Sequence, residues 1–350
     1  MAHYQPTRSI RSVMTMRRLL VLFLPVLWTC SILTGPDHRD TPHFHSTSDV
    51  ASEFRALAES HPSIARVVPL GRSQEGREIW ALKISAGVEN DGREPAVLIV
   101  GGQHAREWLG VEIPVRLAGH LVTMYGADEQ VSALIDQGEV WIVPILNPDG
   151  HNYSRSEARN WRKNRSQNED GTRGVDTNRN FSFAWGGVQA SPDPRASIYR
   201  GPAPFSEPET RALRDLVLSR DFRAAVDYHS FSQSISVPAN RTSMGRTADQ
   251  MVSLIGAVHG KDYRVGSYEP PLLGGSFTDW ANNAVGVDAY LIELRPGGNK
   301  DSTEYPWLLE RSAFDPPVSE ILATWEEQRP ALMHLLDTYL GAPASTAGNR

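Results

Sequence analysis

Four apolar runs constrain this chain more than anything else in it: Ala96-Val97-Leu98-Ile99-Val100, Val140-Trp141-Ile142-Val143-Pro144-Ile145, Ala224-Ala225-Val226-Asp227-Tyr228 and Ala289-Tyr290-Leu291-Ile292. A strand with one wet face alternates apolar and polar residues. These runs barely alternate, so both faces of the strands they form must be covered. Ile79-Trp80-Ala81-Leu82-Lys83-Ile84 reads as a further strand. Between the strands, Val111 to Tyr125, Glu207 to Ser219, Ala248 to His259 and Val318 to Tyr339 carry apolar residues at helical spacing. Ser206-Glu207-Pro208-Glu209 predicts a helix start, with Ser206 as N-cap, an early proline and first-turn acids. Strands covered on both faces and interleaved with helices imply an α/β fold with a mostly parallel sheet. No long linker, repeat or low-complexity tract interrupts the stretch, and 350 residues with 40% hydrophobic and 22% charged content suit one large domain over 45–342.

Several function classes drop out early. The net charge of −6 shows no basic excess, so nucleic acid is not an expected partner. Arg17 and Arg18 precede the apolar run Leu19 to Trp28. That run is shorter than the roughly 20 residues of a membrane span, and the pattern is that of a secretory signal over 1–35. The expected location is secreted or periplasmic, with no membrane span in the mature chain. Starts at Met14 or Met16 would give a more conventional signal, and Thr29-Cys30 leaves a lipid anchor at Cys30 open. Cys30 is the only cysteine. Thiol catalysis, iron–sulfur chemistry and cysteine-ligated zinc are therefore excluded from the mature chain, and any metal must be held by histidine and carboxylate. The tail 343–350 is small, polar and expected to be flexible.

Gly101-Gly102-Gln103-His104-Ala105-Arg106-Glu107-Trp108 follows the first of the four runs, which puts a histidine and a carboxylate where open α/β sheets place their ligands. His229 leaves its strand in the same way. Two histidines and a glutamate make a three-ligand zinc set with a fourth position for water, the arrangement of a catalytic site. Taken singly, each is equally a strand-end side chain satisfied by local hydrogen bonds. Glu293 interrupts an apolar strand, and a buried unpaired carboxylate is costly. It either acts as a base beside metal-activated water or faces solvent on an edge. Asn160 to Arg165 and Asp176 to Asn180 supply guanidinium forks suited to a carboxylate or an oxyanion, or else solvated surface charges. The stretch from Asn147 to Arg200 has little periodicity, and so long an irregular stretch inside a compact domain is usually functional.

His104-Ala105-Arg106-Glu107-Trp108, Asn160-Trp161-Arg162-Lys163, Gly174 to Asn180, His229-Ser230-Phe231-Ser232-Gln233 and Glu293-Leu294-Arg295 resemble, in order, the motifs of the zinc metallocarboxypeptidases of the carboxypeptidase A/B type. Gly71 to Arg77 and Asn147-Pro148-Asp149-Gly150 also look like that family. The resemblance runs from His45 to Leu340 and implies a single α/β/α domain around a mixed, twisted, eight-stranded sheet. It implies one zinc ion held by His104, Glu107 and His229, with Glu293 as general base and Arg162 stabilising the oxyanion. It also implies that Asn178 and Arg179 grip the substrate's terminal carboxylate and that Arg106 and Phe231 line subsites further along the peptide; the family often has tyrosine where Phe231 stands.

The chain departs from the family's pattern upstream of Trp280. The segment that usually carries a mobile tyrosine is shortened here, so Tyr268 substitutes after a gap or the role is vacant. Thr278 matches the floor of the specificity pocket, where threonine decides neither for apolar nor for basic C-terminal residues; a slip of one residue would put Asp279 there. The expectation is a neutral or hydrophobic C-terminal residue. Between the signal and His45 there is no room for an inhibitory pro-domain. The expected protein is a monomeric, exported zinc carboxypeptidase acting on peptides or proteins with a free C-terminus. The alternatives are a zinc peptidase or amidase acting on cell-wall peptides, or a non-catalytic binding protein of the same fold.

Overall fold

The structure is a computed structural model and describes Met1 and residues 44–90, 94–295 and 314–341. The signal segment beyond Met1, with Cys30, and the tail 343–350 lie outside the described residues. The strands are β1 Ala65–Arg72, β2 Glu78–Ile84, β3 Ala96–Val100, β4 Glu139–Val143, β5 Phe222–Ser230, β6 Ser234–Pro238, β7 Arg264–Tyr268 and β8 Asp288–Leu294. The main helices are α1 Thr47–Ser60, α2 Leu109–Met124, α3 Glu129–Gln137, α4 Pro148–Ser156, α5 Pro208–Leu218, α6 Thr242–His259, the single turn α7 Phe277–Trp280, and α8 Ser319–Leu340. No helix among the described residues is long and apolar enough to cross a membrane.

All eight strands form one sheet in the order β1-β2-β4-β3-β5-β8-β6-β7. β4, β3, β5 and β8 run parallel. Antiparallel pairings join β1 to β2, β2 to β4 and β6 to β8, while β6 and β7 are parallel. The mixed eight-stranded sheet thus stands as the resemblance implied, with its parallel part in the middle. Every residue of β3 and β4 is buried, which is why those runs do not alternate. Alternate side chains instead feed two separate cores. Val97, Ile99, Val140 and Ile142 join a core with α1, α2, α6 and α8, whereas Leu98, Val100, Trp141 and Val143 join one built on α5, Phe277 and Trp280. Burying each large aliphatic side chain contributes about 1.5–3 kcal/mol, so both faces pin the strands in register.

The junction that matters for function lies where β3 meets α2. Pro114 inside α2 has no N–H, so the carbonyl of Gly110 four residues earlier loses its helical partner. Gly101 packs against that carbonyl, and a Cβ there would lie 2.2 Å from it. Gly102 turns the chain at φ 62°, a conformation few other residues adopt cheaply. A Cβ on Gly110 would in turn stand 3.0 Å from the Tyr228 carbonyl of β5. Glycine thus draws the exit of β3, the start of α2 and the end of β5 together.

Several elements differ from the sequence reading. α6 begins at Thr242, ahead of Ala248, because its first turn is polar and carries no periodic signal. The N-cap position of α5 is Glu207, and Ser206 Oγ donates to that glutamate's carboxylate (2.7 Å) instead of capping. α4 lies inside the stretch that has little periodicity. Its start is nevertheless written in Asn147-Pro148: Asn147 Oδ1 accepts the Gly150 N–H (2.9 Å) and the proline occupies the first turn.

Candidate active site

β4 and β5 flank β3 on opposite sides, so the chain reverses its progress across the sheet at β3. Open α/β sheets bind ligands outside the strand ends at such a switch point. His104 and Glu107 leave β3 there, His229 closes β5, and Glu293 faces His229 across the β5–β8 register. Aligned residues of parallel neighbours project to one side, so the sheet itself sets this last pairing.

His104, Glu107 and His229 are buried, and one donor atom from each lies within 4.8 Å of the others. His104 Nδ1 is 2.9 Å from Glu107 Oε1, and His229 Nδ1 is 2.9 Å from both Glu107 Oε2 and His104 Nδ1. The outer nitrogens are spoken for. His104 Nε2 meets Asp176 Oδ1 at 3.1 Å, and His229 Nε2 meets Asp227 Oδ2 at 3.0 Å. An ionised carboxylate only accepts, so a neutral imidazole that donates from Nε2 to Asp176 or Asp227 keeps its Nδ1 lone pair for a cation beside Glu107. Two imidazole lone pairs and a carboxylate converging at hydrogen-bond distance form a donor set that fits a cation, and nitrogen with carboxylate oxygen suits zinc. Burial alone would raise the Glu107 carboxyl, but His104 and His229 hold it below the usual carboxylate range.

Arg162 is fixed against this set. Its Nε and one terminal nitrogen donate to Asp176 Oδ2 at 3.1 and 2.9 Å, and the other terminal nitrogen lies 3.5 Å from Glu107. Burial disfavours its charge, yet Asp176 and Glu107 more than offset that and keep it protonated. Asp176 therefore bridges His104 and Arg162, and its own carboxyl is held well below the normal range by Arg162 against the effect of burial. Glu293 behaves in the opposite way. Burial pushes its carboxyl up to about 7 while His229 pulls it down, and Oε2 has no hydrogen-bond partner among the described residues. A carboxyl poised near neutrality with a free oxygen beside a cation site is suited to accept a proton.

The remaining sequence candidates fall into two groups. Asn178 and Arg179 sit in a buried 3₁₀ turn next to Asp176. Asn178 Oδ1 accepts the Phe277 N–H (2.9 Å), and Arg179 donates to the Gln189 carbonyl (2.8 Å) and to that of Asn178 (2.6 Å). Thr278 is buried in α7, and its Oγ1 has no hydrogen-bond partner among the described residues. Asp279 Oδ2 accepts from the Leu273 N–H and Ser276 Oγ, whereas its Oδ1 has no such partner. Arg106 and Phe231 meet on a third residue: the Arg106 guanidinium lies 3.9 Å from the Phe314 ring centroid, and the Phe231 and Phe314 rings are 5.2 Å apart. Tyr268 ends β7, and burial together with Asp279 pushes its hydroxyl upward.

Sequence reasoning missed Phe314 and assigned no role to Asp176, Asp227 or Gln103. Asp227 is fully buried and accepts from Gln103 Nε2 at 2.8 and 2.7 Å as well as from His229. The available signal was an aspartate inside an apolar strand, since such a group must be paired.

Comparison with known proteins places this geometry among relatives. The zinc carboxypeptidase family model matches residues 50–331. Carboxypeptidase B of Astacus astacus is 33% identical over 315 residues, covering 86% of this chain and 99% of that protein. Carboxypeptidase A1 of Sus scrofa is 30% identical over 312 residues, 86% of this chain and 71% of that one. Among solved structures, thrombin-activatable fibrinolysis inhibitor superimposes with a TM-score of 0.76 at 27% identity, covering 87% of this chain and 77% of that one. Carboxypeptidase A from Helicoverpa armigera gives 0.76 at 27% identity over 87% and 75%.

Proposed function

This chain belongs to the zinc carboxypeptidase family, a family of metallocarboxypeptidase hydrolases, and from that premise we propose that it removes C-terminal residues from peptides with one zinc ion held by His104, Glu107 and His229. A zinc ion held there would lower the pKa of water to about 7 and polarise a carbonyl. Asn178 and Arg179 grip the substrate's terminal carboxylate. Arg162 donates to the carbonyl oxygen of the last peptide bond and stabilises the charge that develops on it. Glu293 takes a proton from the attacking water and passes it to the leaving amine as the C–N bond breaks. Arg106 and Phe231, joined through Phe314, line the path of the preceding residues. The signal read over 1–35 supports an exported enzyme.

One observation carries this reading. Both imidazole Nε2 groups meet buried carboxylates while both Nδ1 atoms converge on Glu107, and Glu293 stands opposite His229 in the β5–β8 register. The test is release of free amino acids from unblocked peptides by zinc-loaded protein, its loss on chelation, and its return with zinc. Equal turnover of C-terminally amidated peptides would remove the carboxylate anchor from the account. Absence of turnover with any peptide would leave a binding protein of the same fold.

Thr278 as pocket floor favours neutral C-terminal residues. Buried Asp279, next to Thr278, gives the second reading, a basic one, and a screen of the last residue separates them.

A further inference from the structure

Beside the site lies a cleft of about 410 Å³ whose walls carry five cations, Arg106, Arg162, Lys163, Arg173 and Arg195, and no carboxylate. The chain as a whole is acidic, at −6, whereas the lining of this cleft is cationic, with Asp176, Asp170 and Asp193 standing behind it. The cations are not all equivalent. Arg162 is buried against Asp176. Lys163 Nζ donates to the Pro194 carbonyl at 2.6 Å, which ties the Arg195 segment to the cleft. Arg173 is exposed and makes no ion pair among the described residues. Arg195 is 72% exposed, and its acidic neighbours Asp170 and Asp193 stand at 3.6 and 3.9 Å, distances at which a solvated pair contributes little.

The position of the cleft gives it a meaning. Arg106 and Arg162 line it, whereas Asn178, Arg179 and Thr278 do not. A peptide anchored by its terminal carboxylate at Asn178 and Arg179, with its scissile carbonyl at Arg162, would run its preceding residues along this wall. Low-dielectric walls bearing one sign of charge focus the field and favour a ligand of the opposite sign.

We propose that this cleft is a subsite for acidic side chains on the amino-terminal side of the scissile bond, with Arg173 and Arg195 as its charge selectors. The proposal rests on the carboxypeptidase reading and names the substrate class within it: peptides carrying aspartate or glutamate a few residues before the bond that is cut. Arg173 and Arg195 act on binding rather than on bond cleavage.

The test uses matched peptides with one C-terminal sequence and Glu, Gln or Lys at the second, third or fourth position before the scissile bond. Discrimination is read twice, as kcat/KM with zinc-loaded protein and as binding to the Glu293→Gln variant by fluorescence anisotropy. At one or more positions Glu is expected to exceed Lys about tenfold, chiefly through KM, with the ratio shrinking as salt is raised towards 0.5 M. In Arg173→Glu/Arg195→Glu the ratio should fall to about one or invert. Because the ratio is internal to each variant, partial loss of fold or metal does not imitate the result. Turnover with a Glu-to-Lys ratio within about twofold at every position, or a ratio unchanged by the double substitution, overturns the subsite and leaves the peptidase reading intact. Acid-selective binding without turnover keeps the subsite and overturns the peptidase reading; neither binding nor turnover overturns both.

Discussion

The candidate site has two halves built in different ways. His104, Arg162 and Asp176 come from irregular chain following β3 and α4, and they are held together by one carboxylate that reaches both the histidine and the arginine. His229, Asp227 and Glu293 come from the paired strands β5 and β8, where sheet register does the positioning and Gln103 supports the carboxylate. Under the proposed function the loop half would couple metal binding to carbonyl activation through Asp176, which meets both His104 and Arg162. In the strand half the same proposal keeps the two tasks separate: Asp227 would orient His229, and Glu293 would handle protons from the neighbouring strand.

The most severe way to break the strand half is Glu293→Gln, which should lower kcat about 10²–10⁴-fold while zinc stoichiometry by atomic absorption stays at that of the unsubstituted protein. Retained turnover would remove Glu293 from proton transfer. In the loop half, Arg162→Gln should cost about 10²–10³-fold in kcat, with weaker effects on KM.

Asp176→Asn and Asp227→Asn compare the halves directly. Each should weaken zinc about 10–100-fold in a chelator competition. Measured with zinc saturating, kcat should fall further in Asp176→Asn, because Arg162 loses its anchor, than in Asp227→Asn. Equal losses of kcat would refute the difference in coupling.

The pH profile sharpens the same contrast. Glu293 accepts a proton only when ionised, and burial raises its carboxyl to about 7. A nearby cation favours the ionised form. kcat/KM should therefore rise with pH along an acid limb centred at or below about 7. Asp227 contributes to the upward shift, so Asp227→Asn should move the limb to lower pH. The smallest effect expected is that of Gln103→Leu, a loss of less than about tenfold in zinc affinity, since Asp227 keeps its bond to His229.

Legibility in the sequence followed the same division. The strands of the sheet's centre were readable because burial on both faces writes continuous apolar runs, and both histidines stood visibly at strand ends. The edge strands β1 and β7, and β6 next to the edge, were not singled out: they are partly exposed, and their apolar signal is diluted. α4 escaped because a helix starting with Pro148-Asp149-Gly150 and continuing in polar residues lacks periodicity, although its capping asparagine was in plain view. The ligand residue types were legible; the partners that orient them were not. Nothing in the spacing says that Asp176 rather than another acid meets His104 across 72 residues of sequence, or that Gln103 meets Asp227 across 124.

What the sequence determined by itself is chemistry and layering. One cysteine, in the stretch read as a leader, left metal binding to histidine and carboxylate, and apolar patterning required a sheet buried on both faces. Only the tertiary structure decided which histidine nitrogen faces the centre, how Arg162 is locked, and why Glu293 is poised near neutrality. Those properties arise from buried contacts between distant segments, where a low dielectric and an unshared hydrogen bond count for far more than they would in water.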